Sequence, residues 1–276
     1  MSAVLQVTDL SVSFPGKGFR AARNPVLRDV SFEIRPGETL GLVGESGSGK
    51  TTIGRAILGL VPVESGTITF GGRRIEHASR GERRRLSRDL QVVFQDPYTS
   101  LNPSMTVGDT LMEPLLAQGA GRTQARARIA DLLDRVHLPR GAADRLPREF
   151  SGGQRQRVAI ARALALEPQL IVCDEPVSAL DLTTQERVLD LLTEIQEATG
   201  VAYLFISHDL TVVRHMSHRV AVIHRGEIIE QGDAAQVTER PVQAYTRKLL
   251  LAAPVVDPER QRRRREAFER EFGGAA

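Results

Sequence analysis

The sequence is poor in cysteine and in long apolar runs. Cys173 is the only cysteine among 276 residues, which excludes a disulfide or a cysteine metal cluster within the chain and suits a reducing compartment. The longest apolar runs, at 201–206 and 249–256, fall far short of the roughly 20 residues that cross a bilayer. Residues 1–10 lack a charged region followed by an apolar one, so we expect no secretory signal. At a membrane, other subunits would supply the membrane-spanning part.

Lysine is scarce as well, so arginine carries almost all of the positive charge. The 37 basic and 34 acidic residues give a net charge of +3, and this near balance argues against a dedicated nucleic-acid binder. Basic runs at 80–88 and 262–265 are best interpreted as solvated helix faces, with contact to nucleic acid or anionic lipid as the alternative. His215 and His218 have the spacing of one helix face, but without further ligands nearby a metal site there is a minor alternative.

The order of strand-like and helix-like segments predicts an α/β protein that carries a helical insertion. The first 40 residues alternate apolar and polar positions, as short strands do, and residues 39–43 form an apolar strand that enters a glycine-rich turn. Residues 63–74 predict another strand pair, and residues 107–148 are helical in pattern. Strand composition then returns, and the charged tail after Pro254 is expected to be helical.

The strongest functional pattern is G-E-S-G-S-G-K-T at residues 44–51, a complete G-x-x-x-x-G-K-[ST] between a predicted strand and a predicted helix. Its glycines let backbone N–H groups turn toward a phosphate, and the helix presents its positive end to the same anion. Lys50 would neutralise the β- and γ-phosphates, and the Thr51 hydroxyl would coordinate Mg²⁺. The nucleotide-binding residues predicted here are Gly44, Glu45, Ser46, Gly47, Ser48, Gly49, Lys50, Thr51 and Thr52.

A pair of acids follows a second apolar strand, in L-I-V-C-D-E at residues 170–175. Ligands of open α/β sheets lie at the carboxyl ends of the strands, where these acids emerge. Asp174 would hold the Mg²⁺, and Glu175 would orient or deprotonate the attacking water as general base. An apolar run before Asp-Glu is common by itself, but its pairing with the phosphate loop makes the interpretation specific.

The tetrapeptide S-G-G-Q at residues 151–154 follows Phe150 and opens a helix. Ser151 can cap this helix, and the two glycines would let its N-terminus approach a phosphate, although a flexible helix cap alone would also explain the pattern. The segment resembles the signature sequence of ATP-binding cassette (ABC) ATPases, with Phe150 where leucine is more usual. The resemblance implies that Ser151, Gly152, Gly153 and Gln154 face the ATP bound to a second subunit, so that each active site needs two chains.

Four further positions match the order of motifs in that family. Gln95, in F-Q-D-P, resembles the glutamine that reaches Mg²⁺ and the water and senses the transmembrane partner. Asp181, in S-A-L-D, resembles the aspartate of the loop that lines the subunit contact. His208, in S-H-D, resembles the histidine that hydrogen-bonds the γ-phosphate. Phe14 has the position of an aromatic that stacks on adenine, although Phe19 is close enough to compete.

The resemblance covers roughly residues 4–250 and implies a P-loop NTPase (RecA-like) core with an N-terminal antiparallel β subdomain and an inserted α-helical subdomain. We expect the β subdomain and the first part of the core at 1–95. The helical subdomain, ending at the signature, would occupy 96–160, and the second part of the core 161–235. Residues 236–276 would form a C-terminal extension.

Two segments resemble the ATPase subunits of oligopeptide/dipeptide importers in particular. The first is F-Q-D-P-Y-T-S-L-N-P-S-M-T-V at 94–107, and the second is the Pro…Tyr-Thr…Leu-Leu pattern at 241–250. Gln243 and Ala244 replace the usual His-Pro of the second segment. Many members also carry a cysteine-rich tail that is associated with an iron–sulfur cluster. No cysteine follows Cys173, so we expect no such cluster in this chain.

The resemblance implies an ATP-hydrolysing subunit, with ATP and Mg²⁺ as cofactors, at the cytoplasmic face of the inner membrane. It would power the uptake of oligopeptides or dipeptides. Nickel, glutathione or another small solute are the alternatives, because the ATPase never touches the cargo. The expected partners are two transmembrane permease subunits, a second homologous ATPase or a copy of this chain, and indirectly an extracytoplasmic substrate-binding protein. No nucleic-acid partner is expected.

Two other kinds of ABC protein match the sequence less well: a soluble member that acts on ribosomes or DNA, and a non-catalytic binding subunit. Ribosome-acting members usually carry two cassettes in one chain, whereas this chain has one phosphate loop and one S-G-G-Q. Members that act on DNA place a long coiled coil between the two motifs, and the interval from Lys50 to Ser151 is too short for one. A non-catalytic binding subunit is disfavoured because Lys50, Asp174 and Glu175 are all retained.

Overall fold

The computed structural model describes residues 2–16, 23–96 and 100–252, together with 259, 262, 266 and 268–270 of the tail. Its strands are β1 (Leu5–Phe14), β2 (Asn24–Ile34), β3 (Thr39–Val43), β4 (Ser65–Phe70), β5 (Arg73–Arg74), β6 (Leu90–Val93), β7 (Leu170–Asp174), β8 (Ala202–Ser207), β9 (Arg219–His224) and β10 (Glu227–Asp233). Its helices are α1 (Lys50–Ile57), α2 (Arg80–Leu86), α3 (Val107–Ala117), α4 (Arg122–Arg135), α5 (Gly152–Leu164), α6 (Leu182–Thr199), α7 (Leu210–Met216), α8 (Ala234–Glu239) and α9 (Ala244–Ala252).

The chain divides into two compact units. The first comprises residues 1–4, 34–37 and 77–204, and the second comprises residues 5–33, 38–76 and 205–276. The subdomain boundaries expected at residues 95, 160 and 235 stay a prediction.

A four-stranded antiparallel sheet belongs to the second unit, with the strand order β2-β1-β4-β5. β1 runs antiparallel to β4, with Leu5 opposite Phe70 and Thr8 opposite Thr67, before the register shifts toward Ser11. Burial alternates along the first half of β1, since one face covers the core while the other is open to water. The predicted N-terminal antiparallel sheet is therefore confirmed.

In the second unit β10, β9 and β3 are neighbouring strands of a further sheet, and in the first unit β7 and β6 are neighbours. In the second unit β3 runs parallel to β9, with Leu40 opposite Arg219. In the first unit β6 runs parallel to β7, with Val93 opposite Cys173. Every residue of β3 and of β8 is buried, which explains why their sequences are continuous apolar runs and do not alternate. The predicted α/β class is confirmed.

The helical segment of the first unit begins at Thr106, whose side chain accepts a hydrogen bond from the Asp109 N–H and caps α3. Helix α4 follows, and two short 3₁₀ turns, Arg140–Asp144 and Pro147–Glu149, lead to α5. Ile129, at one of the helically spaced apolar positions, is buried. The helical pattern predicted for residues 107–148 is thus confirmed.

Two observations concern cysteine and histidine. Cys173 is fully buried in β7, and this burial, together with the neighbouring Asp174, raises the pKa of its thiol well above the usual range.

His215 and His218 do not share a helix face, because α7 ends at Met216. His218 instead accepts a hydrogen bond from the Thr39 N–H on its Nδ1, at 3.1 Å.

Neither a metal cluster nor a membrane span is found in the part of the chain that the structure describes. Within those residues no group of three or more His, Cys, Asp or Glu side chains could hold a metal ion. No helix among them has the length and apolar character to cross a bilayer.

Candidate functional site

The phosphate loop connects the end of β3 to the start of α1 in the second unit. Gly49 occupies the N-cap position of α1 with φ 112°, and no side chain caps the helix. No acidic residue lies in the first turn either. The positive end of the helix dipole therefore faces the phosphate loop, where it favours an anion, as the sequence predicted.

Two glycines make the loop sterically possible. A Cβ on Gly44 would overlap the carbonyl oxygen of Ile223, and a Cβ on Gly49 would lie 2.6 Å from Cδ2 of Leu27. The positive φ of Gly49 would also strain any other residue. A cradle that a single Cβ would fill is what close backbone approach to a phosphate requires.

Lys50 lies across the loop that precedes it. Its ammonium donates hydrogen bonds to the carbonyl oxygens of Gly44 at 2.7 Å and Glu45 at 2.9 Å, and the residue is only 5% exposed. Ser48 is also buried, and its Oγ has no hydrogen-bond partner among the described residues. A buried cation over a ring of backbone groups fits a polyphosphate, so the loop agrees with the predicted ATP site.

An aspartate and a glutamine lie at one edge of the parallel strands in the first unit. Asp174 is the last residue of β7, and Gln95 follows the end of β6 by two residues. Because Val93 of β6 is opposite Cys173 of β7 in parallel register, Gln95 and Asp174 emerge at the same edge. Their oxygens are donor types that Mg²⁺ prefers.

Glu175 has a backbone conformation that is unusual for its residue type. Its φ is 49°, in the left-handed region that non-glycine residues seldom adopt. Its carbonyl oxygen accepts hydrogen bonds from Ser178 N at 3.3 Å and Ser178 Oγ at 3.1 Å, which hold the turn. Strained residues concentrate at functional sites because the surrounding structure fixes them there, and this fits the predicted role of Glu175 as general base.

His208 is an exposed residue that follows β8 in the second unit. Its neighbours Ser207 and Asp209 are both held by hydrogen bonds. The Asp209 N–H donates to Ser207 Oγ at 3.0 Å. The Asp209 carboxylate in turn accepts from the N–H of Thr211 at 2.7 Å and so caps α7. The loop is therefore held by local hydrogen bonds while the imidazole is presented to solvent, which suits a group that contacts a phosphate.

The signature segment forms a reciprocal capping box at the start of α5. Ser151 Oγ accepts from the Gln154 N–H at 3.3 Å, and Gln154 Oε1 accepts from the Ser151 N–H at 3.0 Å. The predicted cap is confirmed. Gly152 and Gly153 begin the helix behind it. The Ser151 hydroxyl accepts in this arrangement, so its proton is still available to donate to a phosphate oxygen.

Asp181 is the N-cap of α6. Its Oδ1 accepts from Thr184 N at 3.0 Å, and its Oδ2 accepts from Thr184 Oγ1 at 2.7 Å. These hydrogen bonds from Thr184 lower the pKa of the Asp181 carboxyl. A Cβ on Gly153 would overlap Cγ2 of the same threonine. The sequence placed Asp181 and Gly153 in separate motifs, and in the structure Thr184 contacts both.

Phe14 is the last residue of β1 and is half-buried. Its competitor Phe19 lies outside the described residues, so the choice between them for adenine stacking stays a prediction. No role was predicted for Tyr245, yet its hydroxyl accepts a hydrogen bond from the Glu45 N–H at 3.2 Å. The only sign in the sequence was its place in the importer-like segment after Arg240.

Comparison with known proteins gives the family and close relatives. The family model described as ABC transporter matches residues 27–178, a little over half of the chain. The chain is 52% identical over 267 residues to the glutathione import ATP-binding protein GsiA of Salmonella paratyphi A, covering 95% of this chain and 43% of that protein. It is also 52% identical over 265 residues to GsiA of Pectobacterium atrosepticum, covering 94% and 42%. The chain thus spans less than half the length of these relatives.

Solved structures agree with the fold and the family. CbiO1 from Clostridium perfringens, part of the ABC transporter complex cbiONQ, has a TM-score of 0.77 at 28% identity over 88% of this chain and 93% of that one. The ATP-binding cassette MJ0796, as a dimer in a post-hydrolysis state with ADP and Pi, has a TM-score of 0.74 at 28% identity, covering 83% and 98%. The chain belongs to the ABC transporter family.

Proposed function

We propose that this chain powers the uptake of small peptides across the inner membrane by binding and hydrolysing ATP. The observation that carries the ATP chemistry is the buried Lys50 ammonium over a glycine cradle at an uncapped helix start. The 52% identity to glutathione import ATP-binding proteins supports import over export.

Catalysis in this proposal is positioning and electrostatic stabilisation by the chain's own groups. Lys50 and the loop N–H groups hold the phosphates, while Thr51, Gln95 and Asp174 supply oxygen ligands for Mg²⁺, which neutralises phosphate charge when bound. Glu175 orients or deprotonates the water, and His208 hydrogen-bonds the γ-phosphate. Phe14 stacks on the adenine.

A second cassette completes each site in this proposal. Ser151, Gly152, Gly153 and Gln154 of one chain would face the nucleotide held by the other, and Asp181 would line the contact. The dimeric state of MJ0796 with ADP and Pi supports this arrangement, because it shows a related cassette paired after hydrolysis. The second cassette is either a homologous subunit or another copy of this chain.

The cargo class rests on two lines of support. Residues 94–107 and 241–250 resemble the ATPases of oligopeptide/dipeptide importers, and relatives that are 52% identical are named glutathione import ATP-binding proteins. Glutathione is itself a tripeptide, so a small-peptide importer covers both. We place the chain peripherally at the cytoplasmic face of the membrane, with two permease subunits as its docking partners and a substrate-binding protein outside.

The test combines purification with transport. The tagged chain is purified from native membranes, and the bound proteins are identified by mass spectrometry. The purified assembly is then reconstituted in vesicles to measure ATP-dependent uptake of glutathione and of dipeptides. We expect two permeases, a second cassette and peptide uptake that the Lys50→Ala variant loses. Ribosomal or DNA-repair partners without a membrane protein would overturn the transport role, and nickel uptake without peptide uptake would overturn the cargo class.

A further inference from the structure

The C-terminal helix α9 contacts the phosphate loop through Tyr245. Its hydroxyl oxygen accepts the Glu45 N–H at 3.2 Å. Its ring lies against His224, the last residue of β9, with 3.9 Å between the ring centroids and 39° between the planes. Glu45, the second residue of the phosphate loop, is therefore hydrogen-bonded to a residue of α9 that lies 200 positions further along the chain.

The start of this helix is held on β10 by a buried carboxylate. Glu230 is only 9% exposed, and its two oxygens accept the N–H groups of Val242 at 2.7 Å and Gln243 at 3.1 Å. Arg247 closes the turn by donating to the carbonyl oxygen of Val242 at 2.9 Å. A buried carboxylate satisfied by two backbone donors is a strong anchor, so the position of Tyr245 is fixed by contacts outside the loop.

Both backbone polar groups of Glu45, its N–H and its carbonyl oxygen, are hydrogen-bonded to side chains. Tyr245 accepts its N–H, and Lys50 donates to its carbonyl oxygen at 2.9 Å. Further along the loop, the Gly226 N–H donates to the Ser48 carbonyl oxygen at 3.0 Å. Once Lys50 turns to a bound phosphate, the hydroxyl of Tyr245 still holds the first turn of the loop.

We infer that Tyr245 is a positioning residue for the phosphate loop, through which the C-terminal segment 241–252 sets the affinity for ATP. The inference rests on the proposed function. A loop held in its binding conformation loses less conformational freedom when the nucleotide binds, and so binds it more tightly. Neither the family resemblance nor the motif pattern assigns this role, because the segment lies outside every nucleotide-binding motif.

The chemistry of the tyrosine is consistent with this role. Burial raises the pKa of the Tyr245 hydroxyl, and the nearby Glu45 carboxylate raises it further. The phenol therefore stays neutral at physiological pH. Its oxygen can accept the N–H while its own proton is free to donate elsewhere.

The test is Tyr245→Phe, which removes the hydroxyl and keeps the ring beside His224. We expect MgATP to bind up to about fivefold more weakly, because the loop is no longer held in its binding conformation by this hydrogen bond, while kcat at saturating ATP is unchanged and the melting temperature falls only slightly. Val242→Ala is the matched control, because this side chain on the same segment is 70% exposed and its loss should leave binding as it was.

A second variant, Glu230→Ala, releases the segment and keeps the tyrosine. It should weaken MgATP binding in the same direction and add little to Tyr245→Phe in the double variant. If Tyr245→Phe does not fold, the MgATP titration of Glu230→Ala alone tests the positioning role. Native-like affinity in a folded variant would overturn the positioning role, as would a loss confined to kcat. Absence of MgATP binding by the native chain would instead overturn the proposed function.

Discussion

At the scale of single residues, Glu175 combines a proposed chemical role with a strained backbone. Glu175→Gln keeps the size of the side chain and removes its capacity to take a proton. We expect kcat for ATP hydrolysis to fall at least about 100-fold, with MgATP binding retained, as measured by phosphate release and by nucleotide titration. The matched control is Glu197→Gln, which removes an exposed carboxylate from α6 and should leave turnover unchanged.

A further substitution separates the chemistry from the strain. Glu175→Gly tolerates φ 49° without cost, so thermal stability should hold or rise while turnover is lost. Turnover near the native rate in either the Gln or the Gly variant would contradict the assignment of Glu175 as general base.

Residue patterns were sufficient to predict where the phosphate loop lies, between β3 and α1, while the roles of the site residues stay predictions. The phosphate loop was predictable because its geometry is local: glycines, lysine and helix start are consecutive in the chain. Tyr245 was not predictable in the same way. Its partner Glu45 is 200 positions away, and the hydrogen bond uses a backbone N–H that leaves no mark on the sequence.

At the scale of elements, the contact between α5 and the start of α6 depends on Gly153. A Cβ there would overlap Cγ2 of Thr184, whose Oγ1 is held by Asp181 at 2.7 Å. We expect Gly153→Ala to lower the free energy of unfolding by about 1–3 kcal/mol, the usual cost of overpacking. Urea unfolding would measure it.

Thr184→Ser provides the complementary change. It removes the methyl group and keeps the hydroxyl that donates to Asp181, so it should be nearly neutral alone and should restore most of the stability in the double variant. Equal destabilisation by Gly153→Ala with and without Thr184→Ser would mean that the threonine is not the obstacle.

This contact also shows what the sequence could not give at the element scale. The pattern predicted the cap by Ser151 and the strand at residues 39–43 with its observed bounds, because caps and buried strands are written in consecutive residues. Which helix lies against Gly153 depends on tertiary packing, which has no periodicity along the chain. The same limit applies to His218, which was spaced for a helix that ends at Met216.

At the scale of the whole molecule, lowered carboxyl pKa values predict a loss of stability in acid. The pKa is lowered for Glu82 by hydrogen bonds from Ser79, for Asp134 by Arg140, and for Asp181 by Thr184. A carboxyl with a lowered pKa stabilises the fold fully above its ordinary value, here 4.5 for Glu82 and 3.8 for the two aspartates. That stabilisation is lost as the pH falls through the pKa that the carboxyl has in the folded protein.

The free energy of unfolding should therefore decline as the pH falls below these ordinary values, by an amount that salt and solvent keep small because the groups are exposed. Asp134→Asn removes the ion pair with Arg140, so its urea midpoint should fall less between neutral and acid pH than that of the native chain. An identical pH dependence in the two proteins would rule out this contribution.

The burial of Cys173 has a practical consequence for studying the assembly. A chain whose sole thiol is inaccessible and kept protonated is already a background for single-site labelling. A cysteine placed at Leu182, which is 75% exposed, or at Val242, which is 70% exposed, would be the one position that a maleimide probe modifies. Spin labels at these positions could report distances between two cassettes through the ATP cycle, with the native β7 strand left intact.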